Sequence, residues 1–133
     1  MTTTPQTGAP ALPWGRVRRV TEYIEQNLDK ELRLAELAAL VCMSPFHFAR
    51  LFKVSTGESP HRFVIRQRIA RASAFLARPE LSVAEIARQV GFRTPSHFTT
   101  VFRRISGTTP SGYRTERVRE AQPRAGGGSD ELR

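Results

Sequence analysis

The chain has 133 residues, 39% hydrophobic and 25% charged, with 21 Lys and Arg against 12 Asp and Glu for a net charge of +9 and a pI near 11.3. That size holds one domain, no apolar run reaches the ~18 residues of a bilayer span, and the opening MTTTPQTGAPALP lacks the charged and apolar regions of a secretory signal. One cysteine, Cys42, permits neither an internal disulfide nor a Cys-based zinc site, so the composition predicts a cytoplasmic protein, away from membranes, with a basic surface for a polyanionic partner.

Residues 1–13 and 119–133 read as disordered; the first is rich in Thr and Pro, and the second holds AQPRAGGGSDELR with no apolar periodicity. Between them the pattern is helical, and nothing alternates as a strand does. Val17, Val20, Ile24 and Leu28 step by 3, 4 and 4, which marks one face of a helix from Arg16 to Leu28. Leu34, Leu37, Ala38 and Val41 repeat that logic in a short second helix. Ser44-Pro45 then supplies an N-cap and a first helical residue with no N–H to leave unpaired, for a helix that stops at Gly57. Ser59-Pro60 opens a longer helix running to about Arg78, before Pro79. Ser82 with Glu85 forms a capping box for a short helix through Val90. Thr94-Pro95 opens the next, ending at Gly107, and Thr109-Pro110 opens a short last turn to about Arg114.

The middle of the chain repeats. SPFHFARLFKVSTGESPHRF at 44–63 and TPSHFTTVFRRISGTTPSGY at 94–113 share six of twenty positions at an offset of 50: Pro45/Pro95, His47/His97, Phe48/Phe98, Phe52/Phe102, Gly57/Gly107 and Pro60/Pro110. Upstream, AELA at 35–38 matches AEIA at 84–87 at an offset of 49, so the second copy has one extra residue in its turn. Each copy is a short helix, a tight turn and a longer capped helix: a helix-turn-helix, present twice, at about 34–57 and 82–107, with a connecting helix at about 60–78. The charge follows the repeat. Residues 1–43 carry five basic and five acidic side chains, the tail 115–133 carries four of each, and the whole excess lies in 44–114. All but two basic residues are arginine, which suits bidentate phosphate or guanine contact, although genome base composition would produce the same excess.

In a helix-turn-helix the second helix enters the major groove. With Phe48, Leu51 and Phe52 turned inward, Phe46, Ala49, Arg50 and Lys53 face out; in the second copy Ser96, Thr99, Thr100 and Arg103 do. Arg50 is the best candidate for base reading, because its planar fork matches guanine O6 and N7, while Lys53 and Arg103 lie where phosphate contact is expected. Ser44 and Thr94 are caps whose helix N-termini can also meet phosphates. The connecting helix spans ~28 Å, enough to hold the two recognition helices about one DNA turn (~34 Å) apart on an asymmetric site.

VAEIARQVGFRTPSHFTTVFRRISGTTPSGYR at 83–114 resembles the signature of the AraC/XylS transcriptional regulators: an A-x-x-x-G-F turn, an F-x-x-x-F helix, then G-x-x-P-x-x-Y-R. The resemblance covers about 14–118. It implies an all-α, homeodomain-like fold of about seven helices in two helix-turn-helix subdomains, and a promoter-binding activator of transcription that contacts double-stranded DNA and RNA polymerase. It is similar to short members that act as monomers, since 133 residues leave no room for an effector-binding domain. By matching positions, Phe46, Ala49 and Arg50 are base-facing in the first recognition helix, and Ser96, Thr99 and Thr100 in the second. The family often places arginine where Thr100 stands, so the first subdomain is expected to supply most of the direct readout.

Other residues carry plainer expectations. Cys42, where the second turn has Gly91, is expected to be a small core residue in a turn that needs no positive φ. His47 and His97 are expected to be partly buried at a helix–helix contact, not metal ligands. Phe46 is read either as edge packing or as contact with a thymine methyl. Arg66, Arg68 and Arg71 form either a solvated face or phosphate contacts, with Arg66 among the candidates. No phosphate-binding glycine loop, metal-ligand cluster or nucleophile–base pair stands at meaningful spacing, so no enzyme, cofactor or metal is expected. The alternative function is a protein-binding adaptor on a helix-turn-helix scaffold with only non-specific DNA affinity.

Overall fold

A computed structural model describes residues 11–121. These form seven helices and no strand: α1 (Trp14–Gln26), α2 (Leu34–Leu40), α3 (Pro45–Thr56), α4 (Pro60–Phe75), α5 (Val83–Gln89), α6 (Pro95–Ser106) and α7 (Pro110–Ala121). The chain divides into two compact units, the first ending at Arg68 and the second beginning at Ile69, so the boundary falls inside α4. No single helix among the described residues is long and apolar enough to cross a membrane.

The first unit is closed by the residues that the 3, 4, 4 stepping selects. Val17, Val20, Ile24 and Leu28 pack with Leu37, Ala38, Val41, Phe48, Leu51, Phe52 and Val64 in one buried cluster. Phe48 and Phe52 have no exposed surface, and truncating a side chain of that size typically costs about 3–5 kcal/mol. In the second unit Ile69, Ala72, Leu76, Ile86, Ala87, Val90, Phe98, Val101 and Phe102 are the corresponding buried residues. The aromatic packing repeats as well. Phe48–Phe52 and Phe98–Phe102 have ring centroids 5.5 and 5.6 Å apart, and Phe63 and Tyr113 each set an edge 5.6 Å from the second ring of the pair.

The ends of the described chain depart from expectation. Leu12, placed by composition in a disordered segment at 1–13, is buried in the first core. Its N–H donates to Ser55 Oγ at 2.7 Å, and the Pro13 carbonyl accepts from the N–H groups of Arg16 and Val17 to start α1. Residues 1–10 lie outside the described residues. The short turn expected to end near Arg114 is a twelve-residue helix through Ala121, which also takes residues 119–121 out of the predicted disordered tail; 122–133 lie outside the described residues. Arg114 anchors this helix. Its guanidinium leaves the helix and donates to three carbonyls, Leu76 at 3.0 Å, Arg78 at 3.1 Å and Leu81 at 2.6 Å. A cation is favoured there, at the carbonyl end of α4 and the turn that follows it.

Arg68 does the same in the first unit. Instead of a solvated or phosphate-binding role, Nε donates to the Leu28 carbonyl at 3.1 Å and Nη2 to that of Lys30 at 2.7 Å. Burial lowers its pKa from the ordinary arginine value, with Asp29 acting in the opposite direction. Each unit is thus locked by one arginine from the helix that follows its recognition helix.

Cys42 corrects a further expectation. It is exposed, not a core residue, and its φ is +58°, in the left-handed region where Gly91 has +97°. Both residues sit in the same turn. The N–H of Cys42 reaches the Ala39 carbonyl and that of Met43 reaches Ala38; Gly91 reaches Arg88 and Phe92 reaches Ala87. This is a Schellman closure, which needs a left-handed residue just past the helix end. The extra residue of the second copy is Arg93, downstream of that position, so both turns make the same demand. Cys42→Gly should therefore raise stability by about 0.5–1 kcal/mol, and Gly91→Ala should lower it by about 1 kcal/mol, in urea denaturation. In the same assay Arg114→Ala should cost about 2 kcal/mol, and Arg114→Lys should recover less than half, because an ammonium cannot span three carbonyls.

Candidate nucleic-acid interface

Each recognition helix begins with a hydroxyl cap and ends on a glycine. Ser44 Oγ accepts from the His47 N–H at 3.3 Å and Thr94 Oγ1 from the His97 N–H at 3.1 Å, with Pro45 and Pro95 at the first helical position. Gly57 and Gly107, at φ +91° and +88°, return their N–H to the carbonyls of Lys53 and Arg103. The two helices are consequently the same length, twelve residues, with the same residues inward.

The helix before each is fixed by an acidic residue at its third position. Glu85 accepts from the Ser82 N–H at 2.9 Å, while Ser82 Oγ accepts from the Glu85 N–H at 3.0 Å. The Ser82 backbone hydrogen bond holds the Glu85 carboxyl below its ordinary pKa. In the first unit Glu36 takes the matching place, 3.5 Å from the Arg33 N–H, and also accepts from the Tyr23 hydroxyl. That bond raises the Tyr23 pKa, because the proton is held on the phenol by the carboxylate.

With the inward faces committed to the cores, the outward side chains stand as follows. Phe46 is 75% exposed. Arg50 and Lys53 are exposed, and Ala49 is half-buried between them and the core. On α6, Ser96, Thr100 and Arg103 are exposed, and Thr99 is half-buried as its counterpart Ala49 is. Neither Arg50, Lys53 nor Arg103 has a side-chain ion pair among the described residues. Arg66 lies 3.7 Å from Glu58, so that cation is partly neutralised where it stands. Ser44 and Thr94 spend their side-chain oxygens on capping.

One expectation fails on the histidines. His47 and His97 are exposed, not partly buried, because a residue in the first turn projects back past the helix start. His97 sets its ring edge-on to Phe92 at 5.4 Å, beside the core. Phe63 and Tyr113 are aromatic at the same place in the repeat, and each packs on the second phenylalanine of its pair. Arg104 adds an exposed cation in the last turn of α6.

Residues 37–116 match the protein family described as Helix-turn-helix domain. Regulatory protein PocR of Salmonella typhimurium is 35% identical over 108 residues, 81% of this chain and 36% of PocR. A crystal structure of a transcriptional regulator from Chromobacterium violaceum, described as having an AraC-type DNA-binding domain, is similar with a TM-score of 0.73 and 28% identity, over 82% of this chain and 95% of that one. The DNA-binding domain of the global transcriptional factor AdpA, solved in complex with a target DNA, is similar with a TM-score of 0.75 and 33% identity, over 80% of this chain and 97% of that one. The chain spans about a third of the length of the curated relatives it matches.

The Glu85 cap carries a pH signature. A carboxyl depressed in the folded state contributes its stability above the unfolded-state pKa and loses it as pH falls through the folded value. Between about pH 5 and 3 the wild type should therefore lose more stability than Glu85→Gln, read as a flatter acid limb of melting temperature for the variant.

Proposed function

We propose, from the fact that this chain belongs to the AraC family of helix-turn-helix proteins, that it is a sequence-specific transcriptional regulator which activates a promoter in the cytoplasm. Residues 14–118 are the DNA-binding domain. It binds double-stranded DNA as a monomer, with α3 and α6 in successive major grooves of an asymmetric site, and contacts RNA polymerase from that position.

The observation that carries this reading is the outward face of α3. Arg50, exposed and without an ion pair among the described residues, stands four residues after Phe46, on a helix whose inward face is fully used by Phe48, Leu51 and Phe52. An arginine in the middle of a recognition helix can present its fork to guanine, and an exposed aromatic at its start offers an apolar surface to a thymine methyl. Lys53, Arg103 and Arg66, with the helix starts at Ser44 and Thr94, lie at the positions from which phosphates are held. Ala49, Ser96, Thr99 and Thr100 complete the surface over the base edges. The relative solved on its target DNA supports the same use of the fold here.

Selection from a random duplex pool should enrich one asymmetric sequence of ~20 bp, bound far more tightly than competitor DNA. Arg50→Ala should then cost about 1–3 kcal/mol on that sequence and much less on random duplex, whereas Lys53→Ala should weaken both alike. A pool that shows no enrichment would instead identify a protein-binding adaptor.

A further inference from the structure

We infer that Arg93, at the start of the second recognition helix, is a phosphate contact the first unit lacks. This rests on the DNA-binding reading above. Arg93 is the residue by which the second turn is longer than the first, since the repeat offset changes from 49 to 50 between Phe92 and Thr94. The Schellman closure is complete without it, as the hydrogen bonds of Met43 and Phe92 are equivalent. The inserted residue is thus free of any part in making the turn. Its side chain is exposed, has no ion pair among the described residues, and directly precedes the α6 cap Thr94.

The other end of α6 is also cationic, with Arg103 and Arg104 exposed in its last turn. Between the two ends, Ser96, Thr99 and Thr100 are short and neutral. Arg93 stands two residues before α6 begins and Arg103 eight residues into it, so at 1.5 Å per helical residue they lie at least ~12 Å apart, enough to reach the phosphate strands ~12 Å apart that border a major groove. A helix lying across that groove with cations at both ends reaches both strands, while hydroxyls and methyls over the base edges discriminate weakly. The first unit differs, although Lys53 matches Arg103. Arg50 is central, nothing matches Arg93, and Val54, 48% exposed, stands in the place of Arg104. Glu85 is the sole carboxylate in 82–114, and it is committed to the α5 cap, so little opposes the anchor.

The test uses the whole chain, the duplex enriched by selection and a random duplex of equal length. Arg93→Ala should reduce affinity about three- to tenfold at ~0.1 M salt on both duplexes, lower the slope of log affinity against log salt by ~0.9, and leave the ratio between duplexes within about twofold. Arg93→Lys should restore the slope, and an unchanged melting temperature should show that Arg93→Ala folds. An unaltered slope in Arg93→Ala, or a loss of ratio like that of Arg50→Ala, would overturn the inference. If no duplex is enriched, sequence-specific regulation fails by itself, and the slope on random duplex still decides the role of Arg93.

Discussion

The surface of each recognition helix is set from beneath by two phenylalanines four residues apart. Phe48 and Phe52, and again Phe98 and Phe102, have no exposed surface, and a third aromatic edge closes on each pair. A helix turns by a fixed angle per residue, so once these rings are buried the outward positions are determined. Arg50 and Thr100 point away because Phe48, Phe52, Phe98 and Phe102 point in. The turn upstream serves the same end. Its left-handed residue closes α2 or α5 so that the next helix starts at the cap with the right face down. Losing one of these rings would cost a large fraction of what holds a small domain together, and the outward face would lose its definition with it.

The scaffold was legible in the sequence because each of its parts is a local signal. Ser-Pro and Thr-Pro pairs start helices, glycines end them, and apolar spacing selects the buried face. What was not legible depends on contacts across the chain. Arg68 and Arg114 look like ordinary solvated arginines until the fold brings carbonyls from 33 to 40 residues away into reach. Leu12 sits in a Pro-rich stretch that resembles disorder, and only Ser55, 43 residues on, shows that it is held. The α7 helix has almost no apolar periodicity, so spacing could not announce it.

The candidate interface shows the same division. Its outward positions follow from the period of the helix: Phe46, Arg50, Lys53, Ser96, Thr100 and Arg103 are exposed, and Ala49 and Thr99 are half-buried. The histidines stand beside a core phenylalanine, but their place in the first helical turn leaves them exposed. Cys42 misled because the length difference between the two turns was assigned to the wrong side of the left-handed residue.

Repetition has left the buried faces of the two units nearly identical and their outward faces different in charge, size and placement of cations. The join between the units has its own consequence. Phe63, Val64 and Arg68 serve the first unit, Ile69, Ala72 and Leu76 serve the second, and all six belong to one helix and the turn that closes it. No loop separates the copies. A cut at the boundary would leave each half with roughly two turns of helix, too short to persist alone in water. The two units therefore share the cost of nucleating α4, and neither can be inherited, exchanged or degraded as a free-standing cassette without taking part of the other.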